Sequence, residues 1–189
     1  MALYNTLGAA LFTQLGIKGG AGVGTAIFLD VDGLRGTPEI GNEANIFSIP
    51  GFNRATAGSG TGQSELAPFE FEINFKPGDV MHQALSHMAG IVQTEGAGGD
   101  VATVTESNAT TTQIFAVGQN ITIVLELKKS PGAADVASYT WTGTVASFKF
   151  NPDVADQTVA TISISPDALP VGPSGTAIVF DTPASIGFA

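Results

Sequence analysis

The sequence has no cysteine, which excludes disulfides, thiolate metal sites and a cysteine nucleophile and leaves the redox compartment open. It is poor in positive charge: 7 Lys and Arg stand against 17 Asp and Glu, a formal charge of −10. Gripping nucleic acid by its phosphates needs clustered cations. The only adjacent basic pair, Lys128-Lys129, reads as a solvated hairpin end. An acidic surface can still face DNA, as a wall to which the polymer does not adhere. Long apolar runs are missing too. Residues 7–17 are fairly apolar, but Thr13 and Gln14 interrupt them, no basic stretch precedes them and they are too short to span a bilayer, so neither a signal peptide nor a membrane segment is expected. Asn108-Ala109-Thr110 and Asn120-Ile121-Thr122 match the glycosylation pattern and, without a secretion signal, are read as chance.

Motifs that carry chemistry are also scarce. His82 and His87 lie five residues apart on one expected helix, hence about 140° apart around its axis, and cannot share a metal as an i, i+4 pair does. Both are expected at solvent-side or rim positions. Asp30-Val31-Asp32-Gly33 has a superficial likeness to a calcium loop, but Leu34 occupies the third ligand position, so a solvated turn is expected. The run KGGAGVG over 18–24 has neither a following GK[ST] nor a following helix and reads as a linker, not a phosphate cradle. No catalytic, metal-ligating or cofactor-binding residue is therefore assigned, and the chain is not expected to be an enzyme.

What is present is strand patterning. In 139–145, Tyr139, Trp141, Gly143 and Val145 share one parity and Thr140, Thr142 and Thr144 the other, the period of a half-buried strand. The large apolar residues then move to even positions, Phe148 and Phe150, which predicts a bulge near Ser147. Asn151-Pro152-Asp153 is turn chemistry, and the chain returns through 158–165 with Ala160, Ile162 and Ile164 on one face until Pro166 ends the pairing. Residues 69–76 alternate without a fault, Phe69, Phe71, Ile73 and Phe75 against Glu70, Glu72, Asn74 and Lys76. Residues 25–31 read as a core strand. Strands at 112–117 and 121–127 are expected to form a hairpin through Gly118-Gln119-Asn120. One helix is expected, with Asp79 as N-cap, a stripe of Val80, Met81, Ala84, Leu85 and Met88, and Gly90 as its stop.

The 24 glycines and 10 prolines cluster towards the two ends, which predicts a compact middle with extended arms. Residues 41–68 form the longest stretch without a sustained pattern, and its Gly/Ser/Thr-rich middle, 55–62, is expected to be mobile in an isolated subunit. Ile46, Phe47, Ile49 and Phe52, with Arg54 behind them, would leave apolar surface on that loop unless a partner, or the chain's own sheet, covers it. The fold class these patterns give is mainly β: an antiparallel β-sandwich or barrel with one flanking α-helix, a long loop and extended terminal arms.

The order of elements is similar to that of the major tail tube protein of long-tailed, siphovirus-like bacteriophages. The closest echo is Gly143-Thr144-Val145-Ala146-Ser147-Phe148 followed by 158–165, which resembles the strand pair near the end of such proteins. The resemblance covers the order of elements from 25 to 170; the Pro-rich tail beyond Asp167 departs from it. It implies a phage tail tube fold with an N-terminal arm (1–24), a tube domain (25–170) carrying a long inter-ring loop (41–68), and a C-terminal arm (171–189). It further implies a structural virion protein of the viral tail, a homo-hexamer assembled in the host cytoplasm as stacked rings in a helical assembly, conducting DNA from capsid to host during ejection. Its implied partners are itself, the tail terminator, tape measure and distal tail proteins; DNA passes without specific binding, and no membrane or cofactor is involved. On this resemblance Glu70, Glu72 and Asn74 are the lumen-facing candidates, the alternative being a row on the outside of the tube, and Ile46, Phe47, Ile49, Phe52 and Arg54 are the candidate inter-ring contacts. Other readings are a capsid decoration or related virion β-sandwich protein, a secretion-system tube protein, and a sandwich-fold hydrolase or ligand-binding module.

Overall fold

The structure, a computed structural model, describes residues 12–23, 27–36, 38, 46–49, 58–61, 66–91, 101–108, 111–128, 136–152 and 158–188. Among these the chain is mainly β. The central strands of its largest sheet are β10 (Asn120–Lys128), β11 (Val136–Asn151) and β12 (Val159–Pro166), consecutive in sequence and antiparallel. On one side β10 pairs with β1 (Phe12–Lys18), which pairs with β3 (Phe28–Asp30), which pairs with β14 (Phe180–Asp181). On the other side β12 pairs with β7 (Phe69–Asn74), which pairs with the two-residue β4 (Leu34–Arg35). β13 (Val171–Ser174) continues along β11 where β12 leaves it. A second sheet runs in the order β15 (Pro183–Phe188), β8 (Val101–Glu106), β9 (Thr112–Ala116), β2 (Gly20–Val23).

The inner face of the large sheet follows from period-two patterning. Leu15 and Ile17, Ile121, Ile123 and Leu125, Trp141 and Val145, Ile162 and Ile164, and Phe69, Phe71 and Ile73 all lie in one buried cluster. Ala102, Val104 and Phe115 of the second sheet close it, together with Met81, Ala84, Leu85 and Met88 of α1 (Val80–Met88). Each large aliphatic or aromatic side chain buried in this way contributes roughly 1.5–3 kcal/mol. Asp79 caps α1 as its position predicts, accepting from the Met81 and His82 N–H groups at 2.9 and 3.1 Å. The bulge also stands where the parity slip places it. Val145 pairs with Ile164 and Ser147 with Ser163, so Ala146 is the extra residue, and Val145 and Phe148 both stay inside.

Several expectations are corrected. The large sheet is mixed, because β14 runs parallel to β3, and among the described residues no sheet closes into a barrel. β9 and β10 are not a hairpin: β9 pairs with β8 and β2, β10 with β1 and β11, and the turn at Val117-Gly118 carries the chain between sheets. A turn signal between two strand patterns cannot say whether the strands share a sheet. The glycine run is no linker where it is described: Gly19 is the corner between β1 and β2, and a Cβ there would stand 2.5 Å from the Ile114 carbonyl oxygen. Glycine is there to bring two backbones together. The patternless stretch contains a pairing as well, β5 (Ile46–Ile49) antiparallel to β6 (Gly58–Thr61).

Candidate functional site

The outer face of the large sheet carries the opposite parity, and its composition is set by the alternation that fills the core. Pairing brings its side chains into transverse rows: Lys18, Thr122 and Thr142; Asn120, Thr144 and Ser165; Ser147, Ser163 and Glu70; Lys149, Thr161, Glu72 and Arg35. Val159 and Asn74 make the last pair. Because the bulge absorbs one residue, Thr140, Thr142 and Thr144 share this face with Ser147 and Lys149 instead of ending where the parity slips. The result is a wall of hydroxyls with Glu70, Glu72 and Arg35 at one margin, Lys18 at the other and Lys149 on β11.

Glu70 and Glu72 are exposed on this wall and Asn74 is half-buried, as alternation predicts. The row is not purely acidic, since Arg35 and Lys149 stand on the flanking strands in the Glu72 row. At this margin lies an open cleft of about 770 Å³, lined by Arg35, Pro38, Pro68, Glu70, Glu72 and Thr161. β4 pairs only with Ile73 and Glu72, so among the described residues 69–71 of β7 have no strand on that side. Of the proposed contact residues in 41–68, Ile46, Phe47 and Ile49 belong to β5, opposite Thr61, Gly60 and Gly58; Phe52 and Arg54 lie outside the described residues.

The other half of the outer face is covered. Val124 has outward parity yet is fully buried, as is Glu126. The chain beyond β13 crosses here to reach β14 at the far edge. The Ile178 N–H donates to Glu126 Oε2 at 2.7 Å, Lys128 pairs its ammonium with Glu126 Oε1, and Phe180 lies over Gly16. Lys128 is therefore no solvated hairpin end, since its side chain is only 13% exposed. Beyond the crossing Asp181 is buried and accepts from the Ser107 hydroxyl (2.6 Å), the Asn108 side-chain amide (2.5 Å) and N–H (3.0 Å), and the Thr182 N–H (2.8 Å). Burial pushes the Asp181 carboxyl up, but these donors outweigh it and hold the group below its ordinary range.

A third buried acid, Glu106, fastens the corner at Gly19. Its Oε1 accepts from the Gln113 amide (2.7 Å) and the Ile27 N–H (3.1 Å), while Gln113 also donates to the Ile27 carbonyl (2.6 Å) and accepts from the Gly19 N–H (2.8 Å). Sequence reasoning missed Glu106, Gln113, Glu126 and Asp181. Each is a single polar side chain turned into a buried position of a strand, and the only available signal was the inward parity of Glu106 and Gln113 beside Val104 and Phe115.

The histidines are corrected as well, because both are buried. His82 Nδ1 accepts from the Lys76 N–H at 3.0 Å, and its Nε2–H donates to the Asp32 carbonyl at 2.9 Å, which ties the helix start to the turn at 32–33. His87 packs against Phe188 with ring centroids 5.3 Å apart. A helix covered by a sheet on more than its apolar stripe buries neighbouring polar positions too. Among the described residues no three His, Asp or Glu side chains gather to hold a metal, and no helix is long and apolar enough to cross a membrane. No protein-family model matches the chain, and no curated protein matches it.

Proposed function

We propose that this chain is a structural virion protein, the major tail tube subunit of a long-tailed bacteriophage, and that it polymerises as stacked hexameric rings around a lumen through which DNA leaves the capsid. The observation that carries the reading is the part of the large sheet's outer face that no described strand covers: several strands wide, lined by Thr and Ser hydroxyls, and bordered by Glu70, Glu72 and Asn74, with Arg35 and Lys149 in the Glu72 row. Hydroxyls and carboxylates keep such a wall wetted, and without clustered cations it offers phosphates no place to lodge, so DNA slides past. The edge of β7 at 69–71, beside which the described residues place no strand, supports the reading, because an unpaired edge is a hazard in a monomer and a joint in a ring. In this arrangement β5, with Phe52 and Arg54, belongs to the contact between successive rings.

The native chain has no cysteine, so one introduced thiol reports its own environment. In concentrated protein, Glu70→Cys should react with a small maleimide and resist a bulky polymer maleimide, while Ser185→Cys on the second sheet reacts with both. Equal reaction of both thiols with the polymer reagent would remove Glu70 from a lumen.

A further inference from the structure

We propose that residues 171–181 are a removable cap over two edges of the large sheet, and that lifting this strap frees those edges to pair with a second copy of the chain. β13 covers the part of β11 that β12 does not reach, with Ser174 opposite Ser138 and Val171 opposite Thr140. β14 covers the far edge of β3, with Phe180 and Asp181 beside Phe28 and Leu29. One segment therefore closes backbone groups on both sides of the β10–β1 pair.

The strap is held at a few points and buries little. Residues 171–177 are all exposed, and Val171 and Val179 are 76% and 72% exposed. Besides its two short pairings, its holds are the Ser138 hydroxyl, which lies 3.3 Å from the Ser174 and Thr176 carbonyls, the Ile178 N–H on Glu126, the Asp181 carboxylate on Ser107 and Asn108, and two glycine seats. At Gly16 a Cβ would come within 2.4 Å of the Phe180 ring, and at Gly172, whose φ is +151°, one would come within 2.6 Å of the Ser138 carbonyl oxygen. A segment with few apolar contacts opens at a lower free energy than the core beneath it. The strap is tethered at both ends, by β12 through Asp167, whose N–H donates to the Thr142 carbonyl at 2.9 Å, and by β15, so it lifts without leaving. Opening uncovers Val124 and returns the edges of β11 and β3 to the unpaired state that recruits another strand.

The inference rests on the tube reading for one element only, that the strand entering is a second copy. The test uses the full chain carrying Gly16→Ala and Gly172→Ala, which crowd both seats from outside the core. Amide exchange over 171–181 is expected to run roughly tenfold faster, with β12 unchanged. Association, followed by light scattering along a dilution series, is expected at a roughly tenfold lower concentration than for the parent. Faster strap exchange with an unchanged or higher association threshold overturns the cap, and so does unchanged strap exchange. Ile178→Pro removes the donor to Glu126 from the strap itself and is scored the same way should the double variant not fold. A lowered threshold whose product is not tubular supports the cap and counts against the tube. Identical tubes at the same threshold do the reverse.

Discussion

The β11–β12 pair and the strap at 171–181 both lie on the large sheet, and they are held by different physics. β11 and β12 are fastened by interdigitated apolar side chains, Trp141, Val145, Phe148, Ile162 and Ile164, with Trp141 set edge-on against Phe69 at 4.6 Å. The strap, beyond its short pairings with β11 and β3, is fastened by single carboxylates and the Ser138 hydroxyl, which reach its backbone and side-chain groups, and by glycines that let it approach. Apolar packing is spread over many contacts and resists opening as a unit. Carboxylate anchoring is concentrated, specific and reversible.

The largest effect should come from breaking the first kind of hold. Trp141→Ala is expected to cost about 3–5 kcal/mol in urea unfolding, because it empties a site in the middle of the sheet. A loss near zero would mean the centre of the sheet is not the stable part. Breaking the second kind should cost less and act locally. Asp181→Ala is expected to cost about 1–3 kcal/mol, since it removes the buried carboxylate that accepts from Ser107, Asn108 and Thr182, and faster amide exchange should be confined to the strap and β15. Loss of protection across β10–β12 would erase the contrast. Outside both regions, Asp79→Ala removes the α1 cap and is expected to lower stability by about 1 kcal/mol.

Two aspartates sharpen the comparison through pH. Asp181 is held below its unfolded value of 3.8, so its contribution is present above that pH and is lost as pH falls through the lower folded value. Asp30 behaves oppositely. Burial raises its carboxyl, Asp32 adds to the rise, and the hydrogen bond from Gln14 opposes it. Its ionisation therefore removes stability as pH rises from 3.8 through the raised folded value. Asp181→Asn should flatten the acid loss of strap protection, and Asp30→Asn should slightly raise the urea midpoint at neutral pH and leave it unchanged in strong acid.

The contrast also explains what the sequence made legible. Alternation at 69–74, the parity slip at Ser147 and the Asp79 cap are local patterns, and the structure bears each out because a half-buried strand or a helix terminus imposes its requirement on neighbouring residues. The face to which the slip delivers Ser147 was not legible, since that depends on whether the bulge restores the face or reverses it. Strand partners were no more legible: the β9–β10 turn reads like a hairpin because turn chemistry is indifferent to the sheet that follows. The terminal segments read as arms because their Gly and Pro content is also what close backbone approach demands. Of the candidate wall, Glu70, Glu72 and Thr142 follow from parity, whereas the covered half follows from Glu126, Gly16 and Phe180, which lie far apart in the sequence.

The central claim is that this subunit closes into rings that stack around a hole. Its most direct test is a two-dimensional class average, by electron microscopy, of the concentrated 189-residue chain viewed along the particle axis. The account requires closed rings of six subunits with a narrow central opening, and side views of stacked rings. Separate globular particles at every concentration, or closed assemblies without a central opening, would contradict it.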